Sequence, residues 1–409
     1  MKALIESIFS KGCFFVLQFL TLMVLSRFVD KQFFGTFSII NSLYFFCIIL
    51  SEAGGMQQII NAESADDERR VLANALVTSI RGAVIMVVLL LVFPLLYQFK
   101  VDNLAIALLA AALMLYGVAS ALIGLLYKQL KFFKVAVVEC TAELISLLGA
   151  VLVGLSTDFD MNVLVVKVAL YSFIRVTWLF VMFRQYLHPQ ELINQITDRT
   201  APKSTFSRSV TSSNIVSFFV RYGDNLLIGR LFSIDILSLY DRAYQLTKYP
   251  VMLLSFSLQP AIQPLVKKLQ SLDEVRAFIL KLNAVFLVFG SLLFLFIYFY
   301  AAEIISLVLG DKWLDARTIL VVLSFSIPFQ AIYSISGGVY YGLGQPQRSL
   351  KINILLALFL VSAISISSYI GNFNLCTTLI SGSFVVAALC CFLDIWFMER
   401  EMFLAWSNK

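Results

Sequence analysis

VTSSNIVSFFVRYGDNLLIGRLFSIDILSLY, Val210–Tyr240, opens like a membrane-spanning helix and then sets Arg221, Asp224 and Asn225 in little more than one turn. Its second part also repeats a segment near the start of the chain. Whether the charges are a flaw or a site depends on what surrounds this helix. The chain has 409 residues, 60% hydrophobic and 14% charged, with a mean hydropathy of +0.88. A soluble domain is about a quarter charged. The apolar excess points to the bilayer.

A helix needs ~20 mostly apolar residues to cross ~30 Å of hydrocarbon. On that rule the sequence predicts twelve spans, at approximately 5–26, 34–54, 74–97, 103–126, 133–155, 162–183, 209–230, 238–265, 278–300, 317–341, 350–371 and 374–397. The connections are short. The longest, QYLHPQELINQITDRTAPKSTFS, joins the sixth span to the seventh and has the character of a short interfacial helix. The N-terminal stretch is basic and then apolar, but Lys11 interrupts it and no small-residue cleavage site follows. It reads as a retained first span.

The two halves resemble each other. LSRFVDKQFFGTF, Leu25–Phe37, aligns without a gap to IGRLFSIDILSLY, Ile228–Tyr240, so that Arg27 meets Arg230 and Phe37 meets Tyr240. GLLYKQLKFFK, Gly124–Lys134, holds the place that YYGLGQPQRSL, Tyr340–Leu350, has later. Both pairings span an even number of helices and keep direction. The expectation is an all-α integral membrane protein with twelve transmembrane helices in two six-helix bundles, a parallel six-plus-six repeat. The bundles are 1–185 and 209–409, with a cytoplasmic linker at 186–208. In such repeats the substrate path lies between bundles near the midplane.

Basic residues orient the chain. Lys2, Arg69, Arg70, Lys128, Lys131, Lys134, Arg184, Arg199, Lys203, Arg208, Lys267, Lys268, Arg276, Lys281, Arg348, Lys351, Arg400 and Lys409 fall on the side of the N-terminus, while Arg27, Lys31, Lys100, Arg230, Lys312 and Arg317 fall opposite. The positive-inside rule then places both termini in the cytoplasm. The net charge of +6 sits in these short connections rather than on a basic face, so no nucleic-acid partner is expected. One histidine, His188, argues against a Ser-His-Asp hydrolase and against His-rich metal sites. Six cysteines lie in apolar segments without a CxxC, as small packing residues would.

Seven basic residues fall inside predicted spans: Lys11, Arg81, Lys167, Arg175, Arg221, Arg242 and Lys248. Each would cost ~2.5–3.5 kcal/mol at the centre of a lipid-facing helix. They are expected to face a wet cavity or a partner, with Lys11 and Arg242 near enough to span ends to reach the interface. Helical spacing groups them. Lys167, Tyr171, Arg175 and Trp178 share one face of the sixth span; Asn214, Ser217, Arg221 and Asp224 share one of the seventh; Asp241, Tyr244, Lys248, Ser255 and Gln259 form a stripe on the eighth. One reading is an anion-binding cavity lined by Arg81, Lys167, Arg175, Arg221 and Lys248, since guanidinium groups grip phosphate and carboxylate bidentately. The other is internal ion pairing, such as Arg221 with Asp224. Glu139 and Glu143, one turn apart on the fifth span, allow the same choice between proton or sodium coupling and pairing with neighbouring cations. Pro250, Pro260, Pro264 and Pro328 mark expected kinks.

The segment Asp224–Val266, DNLLIGRLFSIDILSLYDRAYQLTKYPVMLLSFSLQPAIQPLV, resembles the span 7–8 region of polysaccharide-export and O-antigen flippases. These belong to the multidrug/oligosaccharidyl-lipid/polysaccharide superfamily. Asp224, Arg230, Tyr240, Tyr244, Pro250 and Pro260 carry the likeness; LGDKWLDA at Leu309–Ala316 and GLGQPQRSLK at Gly342–Lys351 extend it. Ser238 departs from it, standing where those proteins usually have Gly, although Gly35 occupies the matching turn of the first half. The resemblance implies the fold of the multidrug (MATE-like) antiporters in a multi-pass protein of the bacterial inner membrane. It also implies movement of undecaprenyl-diphosphate-linked oligosaccharide from the cytoplasmic to the outer leaflet by alternating access, coupled to protons or sodium without a bound cofactor. A polymerase and chain-length regulator of the same pathway would be partners, with membrane lipids. On this reading Arg175, Arg221 and Lys248 contact diphosphate or sugar acid. Tyr171, Trp178, Tyr244 and Asn214 face glycan, Asp224 orients Arg221, and Glu139 or Glu143 carries coupling. Two rival readings are a multidrug antiporter, which would favour carboxylates over cations, and a glycan polymerase or ligase, which would need larger outer loops than are seen.

Overall fold

The computed structural model describes residues 2–60, 62–97, 99–184, 205–267, 269 and 271–398. Among them the regular structure is helical throughout. Each of the twelve expected spans falls on helix. The interfacial helix expected in the connection before the seventh span lies largely outside the described residues. Two compact units divide between Phe218 and Phe219.

In the first unit α1 is Lys2–Phe28, α2 Lys31–Glu52, α3 Gly55–Ile60, α4 Ala65–Tyr97, α5 Asn103–Lys128, α6 Phe132–Thr157 and α7 Met161–Phe183. Helix α5 is the hub, packing on α2, α3, α4, α6 and α7. Its stretch GVASALIGLL, Gly117–Leu126, is buried at every position. Lipid tails give little hydrophobic drive for helices to associate, so close packing of small residues holds them. Gly117 illustrates this: a Cβ there would run into the Ser79 hydroxyl and come to 3.1 Å from the Ser51 carbonyl oxygen.

Span 2 is not one rod. Ala53 (φ 43°) and Gly54 (φ 74°) are left-handed, ending α2 and restarting the chain as α3. A break inside the membrane frees carbonyls that must find donors. The Thr78 hydroxyl donates to Ser51 O at 2.7 Å and Gln58 Nε2 to Ala53 O at 3.2 Å.

The second unit takes its first helix, α8 (Thr205–Leu231), from across the boundary. It continues with α9 Ile234–Lys267, α10 Leu272–Val308, a 3-10 turn Asp311–Ala316, α11 Arg317–Ser324, α12 Ile327–Gly342, α13 Pro346–Ile370 and α14 Phe373–Trp396. Ser271 and Asn372 cap α10 and α14 by accepting from Glu274 N (3.2 Å) and Leu375 N (3.1 Å). Helix α12 plays the part of α5, packing on α9, α10, α13 and α14 around Phe286, Ile335 and Tyr340.

The internal repeat is present in the fold. The pairings α2–α5, α4–α5, α5–α7 and α6–α7 recur as α9–α12, α10–α12, α12–α14 and α13–α14. The junction from Phe28 to Lys31 falls on the same aligned positions as that from Leu231 to Ile234. At the departing position Ser238 is buried and its hydroxyl donates to Asp235 O at 2.7 Å, which suits the first turn of α9.

Among the described residues nine helices are long and apolar enough to cross a membrane. The bent pair Asp311–Ser324 and Ile327–Gly342, angled at 54°, makes a tenth. Helices α8 and α9 are more polar than this set, and they carry Arg221, Asp224, Asp241 and Lys248. The chain is a multi-pass membrane protein. Of the four prolines expected to kink their spans, Pro328 stands at a break, while α9 continues as one helix through Pro250, Pro260 and Pro264. At the break Ser326 is fully buried, donating to Leu323 O at 2.6 Å and accepting from Gln330 Nε2 at 2.8 Å. Gly290 of α10 lies directly against Pro328, where a Cβ would sit 2.6 Å from the proline Cβ. Gly290→Leu should therefore destabilise the second unit by ~1–3 kcal/mol, read as a lowered melting temperature of the detergent-solubilised protein. Gly382→Ala, with nothing within 4 Å of the new methyl, should leave it unchanged.

Candidate functional site

Each unit holds its own polar cluster. In the first, α6 and α7 run antiparallel, which sets Glu143 against Lys167 and Glu139 against Tyr171 and Arg175. Lys167 Nζ donates to both Glu143 carboxylate oxygens at 2.8 Å, and the Thr21 hydroxyl of α1 donates to the same carboxylate at 2.8 Å. Arg175 holds Glu139 Oε1 with Nε at 3.0 Å and Nη2 at 2.9 Å, while the Tyr171 hydroxyl donates to Oε2. The guanidinium carbon lies 4.8 Å from the Tyr116 ring centroid and 6.0 Å from that of Tyr171. Arg175 and Glu143 are 5% and 1% exposed, so both pairs are desolvated and their partners mandatory. Beside them Tyr44 and Ser172 face each other at 3.4 Å, and Ser120 donates to Glu52.

The second cluster is differently balanced. Asp224 of α8 is buried and accepts from the Tyr240 hydroxyl at 2.7 Å and from Asn225 N at 2.9 Å. The expected orienting pair of Asp224 with Arg221 is not formed. Arg221 is exposed, and its backbone carbonyl accepts from Lys248 Nζ at 3.2 Å. The Lys248 ammonium stands over two rings, 4.3 Å from the centroid of Tyr244 and 5.3 Å from that of Tyr222. Tyr240 stacks on Tyr244 at 5.6 Å. Neither Arg221 nor Lys248 makes a salt bridge among the described residues, although Asp224 and Asp241 attract Lys248 from farther off. Arg242, expected to reach the interface, is buried and paired with Asp241 at 2.6 Å. Asp241 also accepts from Gln245 Nε2 (3.0 Å) and Asn225 Nδ2 (3.4 Å).

Of the remaining expected residues, Arg81 is exposed on α4, Trp178 is 38% exposed on α7, and Asn214 is half-buried on α8. The side chains of Ser255 and Gln259 lie outside the described residues. Sequence reasoning missed Thr21, Tyr116, Ser172 and Tyr222. Thr21 and Tyr116 stand in apolar runs and Ser172 and Tyr222 beside residues already singled out, so only the approach of each to Glu143, Arg175, Tyr44 or Lys248 gives it a role. Tyr240 was visible as the partner of Phe37 in the repeat and as one residue of the resemblance, but not as a ligand of Asp224.

Comparison with known proteins supplies a context for these clusters. Residues 24–318, most of the chain, match the family described as polysaccharide biosynthesis protein. The chain belongs to that family. Solved structures that it resembles include the lipid II flippase MurJ in an inward closed conformation, at TM-score 0.71 and 12% identity over 98% of this chain and 89% of that one. A MATE structure in the bent conformation matches at TM-score 0.63 and 14% identity, covering 100% and 97%. A transporter of the same superfamily from Pyrococcus furiosus, described as having a binding pocket of reverse polarity, matches at 0.61 and 15% identity, covering 100% and 96%. No curated protein matches the sequence. The family member thus has the fold of the multidrug/oligosaccharidyl-lipid/polysaccharide transporters.

The two pairs on α6 and α7 give a direct test of their structural weight. Glu143→Ala strands Lys167 and should cost roughly 3–5 kcal/mol. The double change Glu143→Leu with Lys167→Met should recover most of that loss in thermal unfolding. A single variant as stable as the parent would show that the pair contributes nothing.

Proposed function

We propose that this protein is a flippase that moves undecaprenyl-diphosphate-linked oligosaccharide units from the cytoplasmic to the outer leaflet by alternating access, supplying O-antigen, capsule or exopolysaccharide assembly. The observation that carries the reading is the state of Arg221 and Lys248 in the second unit. Both are cations on membrane helices, and neither has a carboxylate at salt-bridge distance among the described residues. A diphosphate diester brings two negative charges and many acceptor oxygens. A guanidinium and an ammonium beside tyrosine rings suit it. Membership of a polysaccharide biosynthesis family supports the glycan, and the MurJ-like fold supports a lipid-linked cargo. Arg81, exposed on α4, is a further candidate contact. Asn214, Tyr171, Trp178 and Tyr244 would meet sugar.

On this reading the bacterial inner membrane is the location, both termini are cytoplasmic, and a polymerase and chain-length regulator act next. Proton or sodium coupling falls more naturally to Asp224 than to Glu139 or Glu143. Asp224 is buried without a salt bridge, whereas each glutamate already holds a cation. A multidrug antiporter of the same fold is the second reading, but unpaired cations disfavour the cationic drugs such proteins would expel.

Cells lacking the gene should lose surface polysaccharide and accumulate its lipid-linked unit on the inner leaflet. Lys248→Ala and Arg221→Ala should each lower export roughly tenfold at normal protein level, the loss of one charge-assisted hydrogen bond, with Arg221→Lys partly restoring it. Normal surface glycan joined to heightened drug sensitivity would instead select the antiporter.

A further inference from the structure

The cluster between α6 and α7 of the first unit is electrically closed, and this bears on what sugars the protein carries. Lys167 has Glu143 on it at 2.8 Å through two contacts, and Arg175 has Glu139 at 2.9 Å. Glu52, half-buried and held by the Ser120 hydroxyl, adds a further negative charge. The network formed by these groups therefore has no cation in excess. A carboxylate brought beside it would be desolvated without a partner, while facing Glu139 and Glu52.

The same network offers neutral recognition. Glu139 holds the Nε and Nη2 edge of Arg175, and Tyr116 and Tyr171 flank the guanidinium. The group approaches the Tyr116 hydroxyl, yet Nη1, with two N–H donors, has no hydrogen-bond partner among the described residues. Arg175 is 5% exposed, so those donors are held away from bulk water. Buried donors of this kind call for acceptor oxygens. Tyrosine rings beside fixed donors, the Tyr44 and Ser172 hydroxyls close by, and no net positive field are what an uncharged sugar ring needs. Its hydroxyl and N-acetyl oxygens accept, and its C–H face lies on an aromatic ring.

We infer that the first unit is a subsite for uncharged saccharide centred on Arg175, and that the protein discriminates against repeat units bearing uronic or other sugar acids. The inference rests on the flippase reading and refines it. It also replaces the expectation that Lys167 and Arg175 face an acidic glycan: their charge is already spent on Glu143 and Glu139. Outside this cluster, Arg221 and Lys248 of the second unit have no carboxylate at salt-bridge distance among the described residues, which suits the diphosphate common to every such substrate.

The full-length protein can be placed in proteoliposomes carrying either of two undecaprenyl-diphosphate tetrasaccharides. One is built of neutral hexose and N-acetylhexosamine; the other is identical except for one hexuronic acid. Transfer is followed by oxidation of exposed sugars with membrane-impermeant periodate. The neutral lipid should cross at least tenfold faster. Glu139→Gln, which takes the carboxylate off Arg175 and brings the network of Lys167, Arg175, Glu143 and Glu52 to neutral, should narrow that ratio. Equal or faster transfer of the acidic lipid by the parent protein would overturn the inference, whether or not the variant folds. A variant that folds and transports with the parent's ratio would equally remove the assignment to this cluster. Transfer of neither lipid would instead sink the flippase reading.

Discussion

Across ~30 Å of hydrocarbon neither a freed carbonyl nor a charged side chain has water to fall back on, and the architecture answers that constraint at each point where it bites. Straight spans satisfy their backbone internally. Where span 2 breaks, Thr78 and Gln58 donate to the carbonyls of Ser51 and Ala53. Where span 10 breaks, Ser326 and Gln330 close the gap between α11 and α12. The same demand governs the charges, since burial without a partner costs more than most single interactions return. Lys167, Arg175 and Arg242 each have a carboxylate within 3 Å.

The exceptions are therefore informative. Asp224 is buried like the paired Glu143 and Asp241, yet its bonds come from a tyrosine hydroxyl and a backbone amide. Lys248 is held by a carbonyl and two ring faces. Both stand in the unit built from the two most polar spans. A transporter keeps uncompensated groups where something that arrives and leaves can compensate them. A fully paired zipper such as Glu143–Lys167 and Glu139–Arg175 instead fixes α6 against α7 and limits what may lie beside it. The two units thus share a helical plan and divide in chemistry.

Much of the fold was legible because membrane insertion imposes strong, local signals. Apolar length marked nine of the spans, and a tenth as a bent pair, among the described residues, and the aligned stretches Leu25–Phe37 and Ile228–Tyr240 located the same junction in both halves. The breaks were harder. Pro328 signalled one, while α9 runs as one continuous helix through Pro250, Pro260 and Pro264. The turn at Ala53–Gly54 carried only a Gly-Gly pair as notice.

For the site, the sequence alone determined which side chains share a helix face. That is a matter of 3.6-residue periodicity, and it grouped Lys167, Tyr171 and Arg175 on the stripe that meets Glu139 and Glu143, whereas Arg221 and Asp224, grouped in the same way, differ in burial. What each faces is set by helices far away in sequence. Glu139 reaches Arg175 and Glu143 reaches Lys167 across the α6–α7 interface, Tyr240 rather than Arg221 holds Asp224, and Tyr222 and Tyr244 flank Lys248. Proximity along one helix suggested a pair at Arg221 and Asp224; packing between helices decided against it. Charge pairing in a membrane depends on distances of a few ångströms between separate helices, and only the tertiary structure sets those.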